Sequence, residues 1–151
     1  MERNVFASSE KQDWTTPQEF FDKLNIEFNF TLDPCCYPET AKCGRYFTEH
    51  ENGLAQDWSN EVVFMNPPYG REISKWVEKA YHESLKENTV VVALIPARTD
   101  TKYWHDFVMK AKEVRLVKGR LKFGEGKNSA PFPSAVVVFT EHTGDTVFSS
   151  L

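Results

Sequence analysis

The chain has 151 residues, 40% of them apolar and 26% charged, enough for one domain with its own core. No apolar run reaches the roughly 18 residues of a membrane-crossing helix, the start lacks a leader pattern, and the three cysteines are an odd count. Membrane-spanning and disulfide-stapled proteins are therefore excluded from the expectation, which is a cytoplasmic chain with reduced, packed thiols. The formal charge of −4 is unevenly spread: residues 98–127 carry nine Lys/Arg against four Asp/Glu, and residues 1–97 nine against sixteen. A basic stretch on an acidic body suits one surface facing nucleic acid, and equally a solvated helix face and strand edge.

Residues 1–12 are polar and expected to form a loose tail, with one domain over 13–151. Asp13-Trp14-Thr15-Thr16-Pro17-Gln18-Glu19 reads as a helix start, with Thr16 as N-cap, Pro17 at the first helical position and Glu19 as a first-turn acid. Phe20, Phe21 and Leu24 supply its apolar face. Phe28-Asn29-Phe30-Thr31-Leu32 alternates and predicts a strand that ends on Asp33-Pro34. Between 37 and 60 the pattern is irregular. Tyr46-Phe47 is a candidate short strand, and Asn52-Gly53 is a turn signal. Asp57-Trp58 pairs an acid with an aromatic, which suits either a hydrogen bond and stack on a ligand ring or a surface acid beside a core Trp. Cys35, Cys36, Cys43 and His50 do not follow a standard zinc spacing, and no metal is expected.

Val62-Val63-Phe64-Met65 is a short β-branched and aromatic run, read as a buried parallel strand. It stops at Asn66-Pro67-Pro68-Tyr69-Gly70, because two prolines supply no N–H for a ladder. The chain so leaves the sheet in a rigid loop at the carboxyl end of a strand, where open α/β sheets bind ligands. The Asn66 side-chain oxygen and the Pro67 carbonyl are two acceptors on a stiff backbone, and Tyr69 offers a ring face. That set suits a flat group with two N–H donors, and adenine fits it. Four specified residues in a row recur by chance in roughly one chain per thousand or fewer.

Glu72 to Lys86 is an amphipathic helix through Ile73, Trp76, Val77, Ala80 and Leu85. Val90 to Ile95 is an apolar strand closed by Pro96-Ala97-Arg98-Thr99-Asp100. Lys102 to Lys110 predicts a second helix, and Glu113 to Lys118 another strand. Gly119 to Lys127 is a Gly/basic loop. Ser134 to Thr140 is the last strong strand, with an edge at 146–148. Strands alternating with helices predict an α/β fold with a mostly parallel sheet, and the late strands, joined by loop, a closing antiparallel hairpin.

With Thr16-Pro17, Leu32-Asp33-Pro34-Cys35, Asp57-Trp58 and Asn66-Pro67-Pro68-Tyr69-Gly70 in this order, the chain resembles the phage-type (Dam-like) DNA N6-adenine methyltransferases. The likeness continues through Ile95 to Thr101, Lys118 to Phe123 and Pro131 to Ser134, so it covers roughly residues 13–140. It implies a compact, reduced Rossmann-like class I fold that transfers a methyl group from S-adenosylmethionine to adenine N6 in DNA. Asn66, Pro67, Pro68 and Tyr69 would be catalytic, with the target base flipped into their pocket. Thr16, Pro17, Asp33, Pro34, Asp57, Trp58 and Asn66 would bind S-adenosylmethionine. Arg98, Lys102, Arg120 and Lys122 are candidates for DNA phosphates. Where such enzymes carry a Gly-rich turn after the strand-ending acid, this chain has Cys35-Cys36-Tyr37-Pro38. A Rossmann-like binding module without catalysis and an amine methyltransferase acting on protein are the alternatives. DNA is the expected partner, with no membrane, and a monomer or small homo-oligomer is the expected state. A phage- or prophage-encoded protein of this kind would act in the host cytoplasm.

Overall fold

The computed structural model describes residues 14–124 and 129–151. The expected loose tail, and the 125–127 end of the Gly/basic loop, lie outside the described residues. Three α-helices, α1 (Gln18–Phe28), α2 (Ile73–Ser84) and α3 (Lys102–Asp106), surround a sheet of seven strands. These are β1 (Leu32–Asp33), β2 (Arg45–Tyr46), β3 (Val62–Met65), β4 (Val90–Pro96), β5 (Glu113–Leu116), β6 (Ser134–Phe139) and β7 (Val147–Ser150).

The spatial order is β2-β1-β3-β4-β6-β5-β7. Parallel ladders join β2, β1, β3 and β4, and β5 to β7. Only β6 runs against its neighbours β4 and β5. This is the expected α/β architecture: a mostly parallel, Rossmann-like sheet closed by an antiparallel β5–β6 pair. Its reduction is visible in β1 and β2, which are two residues each. From β1 the chain steps outward to β2, then returns to the other side of β1 as β3. The carboxyl ends of β1 and β3 so flank the point where strand order reverses, the place where such sheets bind ligands.

The two faces are covered by different helices. Phe21 of α1 meets Phe64 of β3 edge-on at 5.1 Å. Tyr81 of α2 meets Phe139, which pairs with Val91, on the opposite face. Val63, Val91, Val92, Leu94 and Val136 are fully buried between them, as near-continuous β-branched runs should be in a doubly covered sheet.

Three local expectations are corrected. Phe28-Asn29-Phe30 is not strand. Asn29 takes the left-handed conformation, its N–H donates to the Asn25 carbonyl, and Asn25 Oδ1 accepts from Phe30 N, so those residues finish α1. The alternation there is two rings stacking on each other, Phe28 on Phe30 at 5.6 Å. The helix cap falls on Pro17, not Thr16, whose side chain is taken elsewhere. The helix expected over Lys102–Lys110 is only the five-residue α3, which passes into a 3₁₀ turn at Val108–Lys110.

Gly53 carries a packing demand rather than only a turn. A Cβ there would sit 2.1 Å from the Pro34 carbonyl oxygen and 3.2 Å from the Trp76 ring. Gly53→Ala must push β1's exit loop off α2. It is expected to lower stability by about 1–3 kcal/mol, the usual overpacking range, read by urea unfolding. An unchanged midpoint would contradict this packing.

Candidate active site

Asn66 follows β3, and its amide is fixed by three partners. Its Nδ2 donates to the Trp14 backbone carbonyl at 2.7 Å and to Thr16 Oγ1 at 3.0 Å. The Trp14 carbonyl can only accept, so the NH₂ must lie on that side and Oδ1 on the other. Oδ1 accepts from the Tyr69 hydroxyl at 2.6 Å, and that hydroxyl also lies 3.3 Å from the Leu94 carbonyl. Burial holds the Tyr69 phenol well above its ordinary pKa, so it keeps its proton and donates. One lone pair of Oδ1 is used in this way, and a second is left for an incoming N–H.

The β1 side contributes Asp33, 4% exposed. Its two oxygens accept backbone N–H groups separately, Oδ1 from Cys35 at 3.4 Å and Oδ2 from Lys42 at 3.0 Å. Burial nonetheless penalises the charged form, and the carboxyl is pushed up to about 6 from an ordinary 3.8. Cys35 Sγ donates across the gap to the Asn66 carbonyl at 3.4 Å, tying the ends of β1 and β3 together. Burial raises all three thiols, Cys43 to about 12, so they are neutral packing groups and not nucleophiles.

Asp33 and Asn66 line one cavity of about 100 Å³. Its walls include Trp14, Thr16, Cys35, Cys36, Tyr37, Lys42, Pro67, Pro68 and Tyr69. Two further segments pack near its Trp14 wall. Gly124 N donates to the Thr15 carbonyl at 2.9 Å, and Ala97 N to the Pro133 carbonyl at 2.9 Å. The loop between β5 and β6 therefore lies on the same edge as Asn66 and brings Phe123 and Phe132 onto Trp14 at 5.6 and 5.2 Å.

Of the residues expected from sequence, Thr16, Asp33, Asn66, Pro67, Pro68 and Tyr69 meet in this cavity. Pro17 caps α1 beside it, and Pro34 is buried behind it against Gly53. Tyr69 is no open face: it is 8% exposed, with Trp14, Phe123 and Phe132 around it.

Asp57 and Trp58 are not in the cavity. They precede β3, so they sit at the amino edge of the sheet, the far end from Asn66. Asp57 pairs there with Lys86 at 3.0 Å, while Ser59 N–H and then Lys86 hold its carboxyl below the ordinary range. Trp58 is fully buried, donates Nε1 to the Gly53 carbonyl at 3.0 Å and stacks on Trp76.

Arg98 follows β4 and lies over the Phe132 ring at 5.8 Å. Arg120 and Lys122 follow β5, which runs parallel to β4, so all three belong to the Asn66 edge. Arg120 donates to the Ala130 carbonyl at 3.4 Å. Lys102 opens α3 and pairs with Asp106. Trp14, Lys42, Phe123 and Phe132 went unrecognised in the sequence, because each joins the site by a long-range contact with no periodic signal. Among the described residues, no group of three His, Cys, Asp or Glu side chains could hold a metal, and no helix is long and apolar enough to cross a membrane.

A family model described as DNA N-6-adenine-methyltransferase (Dam) matches residues 4–148. The DNA N-6-adenine-methyltransferase of Haemophilus phage HP1 (strain HP1c1) is 31% identical over 147 residues, 92% of this chain and 84% of that protein. The YfdM protein of Escherichia coli (strain K12) is 40% identical over 63 residues, 37% of this chain and 69% of that one. Among solved structures, a predicted O-methyltransferase from Agrobacterium tumefaciens superposes with a TM-score of 0.44 at 15% identity, over 90% of this chain and 65% of that one.

Asp33 makes the site's charge state visible in stability. An acid whose folded pKa is raised favours the fold below its unfolded value of about 3.8, and that contribution is lost as pH rises through about 6. A shift of that size is worth roughly 3 kcal/mol. The stability gap between the ligand-free protein and Asp33→Asn is expected to move by up to that amount between about pH 4 and 7, in the direction that penalises Asp33 at high pH. Parallel pH profiles in urea unfolding would contradict it.

Proposed function

Because the chain belongs to the Dam family of DNA N-6-adenine-methyltransferases, we propose that Asn66 and Pro67 grip the amine of a flipped adenine while S-adenosylmethionine lies along Asp33 in the same cavity. The observation that carries this reading is the anchored Asn66 amide: Trp14 and Thr16 hold its NH₂, which leaves its oxygen, bonded to the Tyr69 hydroxyl, as the accepting end at the cavity.

The residues fit the methyl donor. A buried carboxylate with a raised pKa lacks a cationic partner strong enough to hold its charge, and an α-ammonium would supply one. Lys42, at the same wall, would meet the donor's carboxylate, and Tyr37 offers a ring to its adenine. Thr16 stands between the two ligands through its bond to Asn66. When bound, S-adenosylmethionine supplies a methyl group already activated by its sulfonium.

The protein's own part is positioning and charge. The N6 lone pair of adenine is delocalised into the ring, which makes it a poor nucleophile. Accepting the two N–H bonds at Asn66 Oδ1 and the Pro67 carbonyl favours a tetrahedral nitrogen and localises that pair. As the nitrogen–methyl bond formed, the sulfur–methyl bond would break and the neutral thioether would leave; positive charge would grow on N6 until it gave up a proton to water, and the Asn66 and Pro67 oxygens would stabilise that charge. Holding donor and acceptor in line supplies much of the remaining advantage. The base must leave the duplex to reach a cavity of this kind. Arg98, Arg120 and Lys122, which follow strands on the Asn66 edge, and Lys102 at the start of α3 would neutralise the flanking phosphates.

Asn66→Ala is expected to cut methyl transfer to DNA by at least about 100-fold, the scale of losing one aimed polar group, with cofactor affinity by calorimetry within a few-fold of wild type. Loss of cofactor affinity equal to the loss of rate would contradict the assigned role. Replacing Arg120 and Lys122 by Ala should weaken DNA binding at all sequences. The slope of log K against log salt should flatten by about one for each phosphate these side chains neutralise. An unchanged slope would remove them from the DNA surface.

A further inference from the structure

We propose that Trp14 is a substrate-contacting residue, and that the target base is held in a sandwich between the indole of Trp14 and the ring of Tyr69. The inference rests on the adenine reading of the Asn66 cavity and adds the second face of the base site.

Three observations carry it. Trp14 and Tyr69 face each other, their planes 29° apart and their centroids 6.0 Å apart. The Asn66 amide spans the foot of that pair: its NH₂ holds the Trp14 carbonyl and its oxygen holds the Tyr69 hydroxyl. A flat ligand between the rings would so meet Asn66 Oδ1 with its edge. Phe132 stands edge-on to both rings, at 5.2 Å from Trp14 and 5.5 Å from Tyr69, and Phe123 likewise at 5.6 and 6.2 Å. These two form a side wall, which leaves the face pair as the slot.

A centroid separation of 6.0 Å is an ordinary contact distance for an offset aromatic pair, so the two rings touch. The indole has to swing off Tyr69 to admit a base between them. Trp14 is the ring suited to do so, since it is half-buried while Tyr69, Phe123 and Phe132 are buried. Its backbone carbonyl can stay on Asn66 during that shift, so opening the slot does not release the catalytic amide. Any purine or pyrimidine has a face for such a stack. Selection of adenine then falls to the edge contacts at Asn66 and Pro67.

The test uses the full chain, as wild type, Trp14→Phe and Trp14→Ala, with the DNA duplex that the wild type methylates and the same duplex lacking the target base. The sandwich predicts that Trp14→Ala weakens binding of the intact duplex at least about tenfold, the cost of one base stack, raises KM for DNA in step, and leaves cofactor affinity near normal. Trp14→Phe should recover most of the loss. On the abasic duplex the three proteins should bind alike. An equal loss on both duplexes would place Trp14 outside the base site and overturn the proposal, as would tighter binding by Trp14→Ala, the sign of an obstructing indole. A matching fall in cofactor affinity and thermal stability without rescue by Phe would make the residue structural and overturn it too. Wild type that methylates no DNA would instead overturn the adenine reading itself, and the sandwich with it.

Discussion

The arrangement of the site depends on one hydrogen-bonded amide. Asn66 ends a parallel strand, yet its orientation is set by residues fifty positions earlier, through the Trp14 carbonyl and the Thr16 hydroxyl. A carboxamide left alone can turn over and present either end. Here the acceptor-only carbonyl removes that freedom. The anchoring also explains why the chain needs its segment before α1. The Thr15 carbonyl holds Gly124, so the same three residues, 14–16, set the Asn66 amide and fasten the loop that bears Phe123.

Around this bond the sheet works as two halves. β2, β1 and β3 create the reversal point and bring Asp33 and Asn66 to its two sides. β4, β6 and β5 supply the buried apolar half of the sheet and the long connection that brings Phe123 and Phe132 onto Trp14. The Glu27–Arg115 pair, with two bonds of 2.7 Å, joins the end of α1 to β5, so the helix entering from residues 14–17 is tied to the second half as well. Burial shapes the chemistry on both sides. It keeps Tyr69 protonated as a donor and pushes the Asp33 carboxyl up to about 6.

Much of this was legible because the decisive residues are consecutive. Val62 to Gly70 shows its strand, its stop and its acceptors within nine residues, and Asp33-Pro34 ends a strand in plain view. What was not legible depended on distance or direction. Asp57-Trp58 lies four residues before β3 and looks close to Asn66, but a strand carries its two ends to opposite edges of the sheet. The Phe28-Asn29-Phe30 alternation imitates a strand, whereas Asn29 ends a helix there. Thr16 reads equally well as a cap or as a partner for a remote amide. Phe123 and Phe132 sit in a loop with no period, and only the fold shows that they face Trp14.

The central claim is that this cavity methylates the exocyclic amine of adenine in DNA. The most direct measurement is to incubate the wild-type protein with labelled S-adenosylmethionine and unmethylated duplex DNA, digest to nucleosides and separate them. Label in N6-methyldeoxyadenosine is the predicted result. Label confined to a methylated cytosine, or none in DNA despite cofactor binding, would contradict the account.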